Sequence, residues 1–454
     1  MQGVKDVLST LKFRASWGMI GDQSVASSLY ISTIGTGTTS WIGADGKVSN
    51  YVGTPTAVAS DVTWQDITTF DIGVDARFFN DKLGVSFDWY RRKTENMIVP
   101  NNNLTYTFGT SSLNGNYGNL HTDGWELAID FNHQFENGLR LTANASLSDF
   151  KTIIDNYGNI NSINGYYAGK EYGEIWGFKV DRLYQESDFV YDASGNLVTE
   201  TVASGKGKGQ IVNKQVDANA HNQGYLQSGK FVFGPGDVKY VDIDGDGEIT
   251  RGASTLDDHG DLVKIGNTTP RYQYSFRLGA DYKGWDASVF FQGVGKCDQW
   301  GSSALTLAGF HTGDGAIAKK FTIDYWTPEN TDAFYPRATN MSNATDQWNM
   351  CKSDKYLLNM AYLRLKNITV GYTFPAAWTK KAFIQKARLY ASVENLFTFD
   401  HLDDTPVDPE ASAFGTSDSY GYLTNNSTSN YAGGRVGIGT PAFRSMSIGV
   451  QLTF

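Results

Sequence analysis

The residues best suited to chemistry are a run of evenly spaced acids, Asp242-Ile-Asp244-Gly-Asp246-Gly247-Glu248-Ile249. Carboxylates at positions 1, 3 and 5, with glycine at position 6 for a sharp turn, match the opening of a calcium-binding loop, and position 7 would offer the Glu248 backbone carbonyl. Carboxylates so spaced repel one another unless a cation lies between them. Position 12 of the loop 242–253 is Ala253, where a bidentate acid belongs. Asp257, Asp258 and Asp261 follow closely and would substitute if the chain bulges. The expectation is a structural calcium site, set against an acidic glycine-rich turn without metal.

Catalytic constellations are not found. The histidines, His121, His133, His221, His259, His311 and His401, lack metal-ligand spacing, and neither a G-x-S-x-G elbow nor a phosphate-binding loop is present. Asp403-Asp404 and Asp408-Pro-Glu410 have the composition of a glycosidase pair, but an acidic loop or rim is the better reading. No catalytic residue is expected, and the chain reads as a non-enzyme. Aromatic side chains in the long connections, among them Trp41, Tyr106, Tyr166, Tyr167, Trp176, Trp300, Trp326, Trp348 and Tyr420, could stack on sugar faces. For any one of them, packing of loop on loop is the stronger reading; Trp176, Trp300 and Tyr420 are the candidates for ligand contact. A net charge of −10, with no basic cluster interleaved with aromatics, disfavours nucleic acid. Cys297 and Cys351 are too few for a disulfide framework, and their pairing is left open.

The elements that would position these residues are strands. Apolar and polar residues alternate with a period of two in ten segments. Leu11, Phe13, Ala15, Trp17 and Met19 share one face; Phe70, Ile72, Val74, Ala76 and Phe78 share the next. Turns at Asn80-Asp81, Asn137-Gly138 and Lys283-Gly284 connect further segments, and the last carries Met446, Ile448, Val450, Leu452 and Phe454. Each is roughly 8 to 13 residues long, where about 9 to 11 are needed to cross a bilayer at a barrel's tilt. No apolar run of about 18 residues offers a transmembrane helix.

Connection lengths separate a membrane barrel from a soluble sandwich. The segments 79–82, 136–138, 283–284 and 375–386 are short, and 21–66, 95–124, 151–270, 296–361 and 398–442 are long, in unbroken alternation. Outer-membrane barrels have short periplasmic turns and long extracellular loops. The fold expected is all-β: an antiparallel transmembrane barrel, with the 151–270 segment outside the cell. The connection 375–386 is unusual, because Pro375-Ala-Ala-Trp378 through Phe383 could hold a helical turn at the periplasmic rim. The final strand, ending on Phe454, resembles the signal read by the barrel-assembly machinery, and Phe454 would also suit the lipid interface.

Several stretches, in order, resemble the SusC/RagA family of TonB-dependent transporters. They are Leu11-Lys-Phe-Arg-Ala-Ser-Trp-Gly18, Phe70-Asp-Ile-Gly-Val-Asp75, Phe87-Asp-Trp-Tyr-Arg-Arg-Lys93, Gly173-Glu-Ile-Trp-Gly-Phe178, Asp237-Val-Lys-Tyr-Val-Asp-Ile-Asp-Gly-Asp-Gly247, Ile265-Gly-Asn-Thr-Thr-Pro-Arg-Tyr272, Tyr362 to Tyr372, and Ala391-Ser-Val-Glu-Asn-Leu-Phe397. The resemblance covers nearly the whole chain, 1–454, as the C-terminal part of such a receptor. It implies a complete barrel of about 22 strands around an N-terminal plug, of which this chain would supply about ten, or about twelve if a pair hides within 151–270. It further implies energy coupling through TonB, a SusD-like lipoprotein lid, oligosaccharide or peptide cargo, and the outer membrane of a Bacteroidota-like Gram-negative cell. Signal peptide, plug and early strands are expected to be missing here. The alternatives are a non-transporting surface glycan-binding protein, including the relic of a truncated gene, and a soluble β-rich glycan-binding protein or hydrolase.

Overall fold

A computed structural model of the chain describes residues 7–22, 31–55, 57–58, 62–101, 107, 113–158, 160–301, 307, 309, 319–339, 348–403, 405, 407–410 and 442–454. Ten strands build one sheet: β1 (Leu8–Asp22), β2 (Gln65–Phe78), β3 (Leu83–Asn101), β4 (Leu113–Gln134), β5 (Arg140–Tyr157), β6 (Arg271–Tyr282), β7 (Trp285–Lys296), β8 (Tyr362–Thr373), β9 (Lys386–Asp400) and β10 (Ser445–Thr453). Each pairs antiparallel with the next in sequence, so the sheet is a meander whose two edges are β1 and β10. An edge left open in lipid strands a row of peptide groups without partners. The sheet is accordingly part of a larger barrel.

The register joins the apolar positions of every strand into one face. Trp17 lies opposite Phe70, Ile72 opposite Trp89, and Phe87 opposite Leu127. The line continues from Ile129 through Ala145 and Phe276 to Phe291, then from Val289 through Ile368 and Val393 to Met446. A slip of one residue anywhere would turn a whole strand's apolar set to the other side. The opposite face is polar and cross-linked between strands. Arg14 bridges Asp75 at 2.9 Å and Asp88 at 2.9 Å, Arg77 donates to Asp130 at 2.6 Å, and Ser146 meets Ser275 at 2.8 Å.

Aromatic residues bound the apolar band. Trp89 and Trp125 stand at one margin; Phe135, Trp285, Tyr372 and Phe374 stand at the other. Trp125 and Phe135 are ten positions apart, about 26 Å along the axis at a tilt of about 40°, close to the ~25 Å apolar band of such barrels. Beyond Trp89 and Trp125 the same face turns ionic, with Arg91 on Asp123 at 2.6 and 2.7 Å and His121 Nδ1 2.8 Å from Asp155.

Long connections gather at one end of the sheet and short ones at the other, except that 102–112 is no longer than 374–385; two expectations are revised. The strands β3, β4 and β5 run 19, 22 and 18 residues, so the connection expected over 95–124 shrinks to 102–112. Met97 pairs with Gly118 and Ile98 with Asn116 past two register shifts, and Asn96 is at φ 61°. A bulge breaks the period of two, which hides the strand from a pattern search. The second revision is that, among the described residues, 158–270 adds no strand to the ten-stranded sheet, only the isolated bridge of Glu171 to Ile153. Among the described residues it holds only short two-stranded ladders of its own.

Tight turns sit where the sequence placed them. Lys283 and Gly284 take φ of 48° and 87°, the doubly left-handed pair of a two-residue hairpin. The connection 374–385 does contain a helical turn, Ala376–Thr379, followed by a 3₁₀ turn, Lys380–Ala382.

Candidate functional site

At the long-loop end, the connections 158–270 and 297–361 fold together into one body with its own core. Phe178, Val238, Tyr240, Ile249 and Met350 are fully buried there, with Trp348 and Tyr356 against them. Glu174–Gly177 pairs with Val263–Asn267, and Val180–Leu183 with Val238–Tyr240. The stretches Gly173–Phe178 and Asp237–Gly247 thus supply the heart of this body. Buried polar groups fix it. Arg337 grips Asp237 through Nε and Nη2, both at 2.9 Å, while Asn349 and the Gly234 amide donate at 2.8 Å. Burial pushes the Asp237 carboxyl up, and the Arg337 charge opposes that shift. The body is tied to the sheet where Thr152 and Ile154 bond Tyr172 and Lys170, both at 2.9 Å, and where Lys151 on β5 reaches Glu171 at 2.7 Å.

The acidic loop lies on the surface of this body. One carboxylate oxygen from each of Asp242, Asp244 and Asp246 comes within 4.8 Å of the others. The same side chains shape the loop: Asp242 accepts from the Gly245 amide at 2.6 Å and the Gly247 amide at 3.0 Å, and Asp246 from the Glu248 amide at 2.8 Å. Gly245 and Gly247 take φ of 78° and 87°, which glycine adopts freely. Among the described residues no further carboxylate joins them. The Glu248 carboxylate turns back to accept the Lys206 amide at 2.8 Å, Asp258 faces the Lys206 ammonium at 3.6 Å, and Asp257 is outside the cluster. Asp261 closes the loop's base by accepting the Ile243 and Thr250 amides, both at 2.7 Å. Burial, and then the neighbouring Asp244 and Asp242 charges, push the Asp261 carboxyl up.

Trp176 is half-buried, with Nε1 donating to Glu174 at 2.8 Å and the Lys264 ammonium 5.7 Å from its ring centre. Burial alone would raise Glu174; donation from Lys264, the Tyr167 hydroxyl and Trp176 instead holds it below the ordinary carboxylate range. Trp300 is 4% exposed and packs in the core. Tyr420, like Tyr106, His311 and Asp404, lies outside the described residues. Phe454 ends the edge strand β10 and is exposed. A cleft of about 380 Å³ opens among Arg182, Asp188, Gln215, Asp217, His221 and Lys239. Burial and the Lys239 charge push the His221 imidazole down.

Two arrangements were not legible beforehand. Asp408 and Glu410 both bind the buried guanidinium of Arg364 on β8, and Lys366 reaches Glu410 at 2.7 Å. These carboxylates are consumed in anchoring the last long connection. Cys297 and Cys351 form no disulfide, because each is buried in a different apolar cluster, one with Met360 and Leu402, the other with Phe178 and Tyr240.

No family model matches the chain. It is 27% identical over 422 residues to TonB-dependent receptor P3 of Formosa agariphila, across 89% of this chain and 36% of that protein. With TonB-dependent receptor SusC of Bacteroides thetaiotaomicron it shares 24% over 415 residues, again 89% of this chain and 36% of the relative. The chain is SusC-like: in sequence it is similar to part of these TonB-dependent receptors. Its fold matches the RagAB peptide importer in the "open-open" state with a TM-score of 0.65 at 18% identity, over 99% of this chain and 40% of that one. The SusC-like chain thus spans well under half the length of the proteins it matches. That likeness agrees with the open sheet edges at β1 and β10.

Proposed function

We propose that this SusC-like chain serves an energy-coupled importer in the outer membrane of a Bacteroidota-like cell. The receptor takes up oligosaccharides beneath a SusD-like lipoprotein lid and draws energy from TonB through a part of the protein outside this chain. The observation that carries the reading is the division of the molecule. A sheet with one continuous apolar face bears its long connections at one end, and there two of them form an aromatic-rich body with its own core. In this orientation the short turns are periplasmic, the segment 151–270 is extracellular, and strands added to β1 and β10 complete the barrel, with the β10 strand and Phe454 read by the barrel-assembly machinery. Peptide is the second cargo class, because the RagAB structures with the same fold are named as peptide transporters.

The test is uptake of fluorescently labelled oligosaccharides by cells carrying the whole receptor. Import should stop when the proton gradient is collapsed and should be outcompeted by unlabelled oligosaccharide but not by mixed peptides. Competition by peptides alone would transfer the reading to peptide cargo. Binding to cells that survives collapse of the gradient, with no label internalised, would favour a surface glycan-binding protein.

We infer that the acidic loop is a structural calcium site, with Asp242, Asp244 and Asp246 as its side-chain donors. The 1-3-5 spacing and the convergence of the three carboxylates support this. A bound divalent cation would offset their mutual repulsion and stiffen the loop. Millimolar calcium should raise the melting temperature of the whole receptor, and Asp244→Asn should abolish the increment; an unchanged melting curve with and without calcium would sink the site.

A further inference from the structure

Three of the short connections are plain turns, 79–82, 135–139 and 283–284, and each contains an acid or at most one lysine. The fourth, between β8 and β9, is different. From 374 to 385 it carries Lys380 and Lys381 and no acid, in a chain whose net charge is −10. It folds as a helical turn with one inward residue, the buried Thr379, while Trp378 is 64% and Phe383 91% exposed. Phe383 is held at φ 62°, a region that favours glycine, by its amide on Lys380 and the Ile384 amide on Thr379, both at 3.1 Å. The chain's own packing does not explain a bulky ring held outward there. The turn also continues the aromatic margin of the apolar face: Phe374 is 6.5 Å from Trp378, and the Gln385 amide bonds Thr453 at 2.8 Å, one residue before Phe454.

We propose that residues 375–385 are an interfacial anchor that docks on anionic phospholipid headgroups of the periplasmic leaflet. Trp378 and Phe383 enter the headgroup boundary, where amphipathic and aromatic rings are favoured, and the exposed Lys380 and Lys381 face the lipid phosphates. Charge selects the occupant. A neutral protein groove would take the two rings but gains nothing from the two exposed lysines, whereas each lysine near an anionic surface is attracted to it. The proposal rests on the orientation given above, with short turns in the periplasm.

The test uses the whole receptor in bilayers of phosphatidylcholine and phosphatidylglycerol, with bromine atoms on one lipid or the other. The Trp378 signal is isolated as the difference between the native protein and Trp378→Phe, which keeps an aromatic ring. Brominated phosphatidylglycerol should quench that signal about twofold more than brominated phosphatidylcholine at equal mole fraction, and Lys380→Glu with Lys381→Glu should erase the excess. Equal quenching by both lipids would overturn the headgroup preference. Quenching by neither, with full sensitivity to aqueous iodide, would place the turn in water and overturn the anchor. Orientation is read separately from Asn137→Cys in another short turn, which should react with an impermeant maleimide only after the cells are permeabilised; the native cysteines are buried. Labelling on intact cells would refute the orientation whatever the lipid result.

Discussion

Asp408 joins two distant stretches of the chain: it accepts from Arg364 Nη2 on β8 at 2.5 Å and from the Ala442 amide, just ahead of β10, at 3.3 Å. One carboxylate therefore pins the start of the last long connection to the barrel wall and to the connection's own end. Arg364 is 5% exposed, so removing its partner leaves a guanidinium in a site built for a pair. Asp408→Ala should cost roughly 3 kcal/mol, lessened by the remaining Glu410 contact, and chemical denaturation of the whole receptor measures it.

The same pair has a pH signature. Burial would raise the Asp408 carboxyl, but hydrogen bonds from Arg364 and the Glu410 and Ala442 amides bring it below its ordinary value. A carboxyl whose folded pKa is depressed contributes stability above the unfolded pKa and loses it as pH falls through the folded one. The clamp should thus hold unchanged from neutral pH to the ordinary carboxylate range and release only in stronger acid. Hydrogen exchange of the Ala442 amide against pH checks this; release near pH 6 would show that the carboxylate does not control it.

In the loop body, Asp237 and Arg337 should behave as a unit. Asp237 is wholly buried and Arg337 about a third exposed, so truncating the base strands the more deeply buried charge, whereas truncating the acid leaves a guanidinium that water can reach. Arg337→Met alone should cost about 3 kcal/mol, Asp237→Leu somewhat less, and the double variant clearly less than the sum. Additive losses in a double-mutant cycle would mean the pair acts as two separate packing residues.

Gly236 sits in the turn that delivers Asp237. Its φ is 83°, and a Cβ there would lie 2.4 Å from Trp326 and 2.8 Å from Arg337. Gly236→Ala therefore meets both backbone strain and a ring that cannot retreat from the core, and should cost about 2 kcal/mol or more. Gly138, also at positive φ but with open space around its Cβ, is the control: Gly138→Ala pays only for its backbone and should be the milder change in the same melting experiment.

The sheet was legible in the sequence because membrane and lumen impose opposite chemistries on alternate residues. Phe13, Trp17 and Ile72 announce a face, and Asn137-Gly138 and Lys283-Gly284 announce where it reverses. The loop body was not legible, since its decisive contacts, such as Asp237 with Arg337 and Asn349, join residues about a hundred positions apart and obey no period. Trp300 shows the same limit: in sequence it could be a sugar platform or a core ring, and only burial separates the two. The acid spacing at Asp242, Asp244 and Asp246 was legible because it is local, whereas Glu248 and Asp258 turn toward Lys206, a partner the motif does not contain.

The apolar face makes a prediction that needs only two neighbouring residues. Val289 on β7 lies between Leu278 and Ile368 on the apolar side, and Ser288, one position away, lies between Gly279 and Thr369 on the polar side. If the apolar face meets lipid, Val289→Arg places a charge near the middle of the bilayer at a cost of about 2–4 kcal/mol, while Ser288→Arg projects into a wet lumen already crossed by ion pairs. Val289→Arg should lower the yield of heat-modifiable, membrane-assembled receptor, and Ser288→Arg should leave it near the native level. The reverse ranking would mean that the apolar face packs against protein and the polar face against lipid, which the cross-strand pairs Arg14–Asp75 and Arg77–Asp130 argue against.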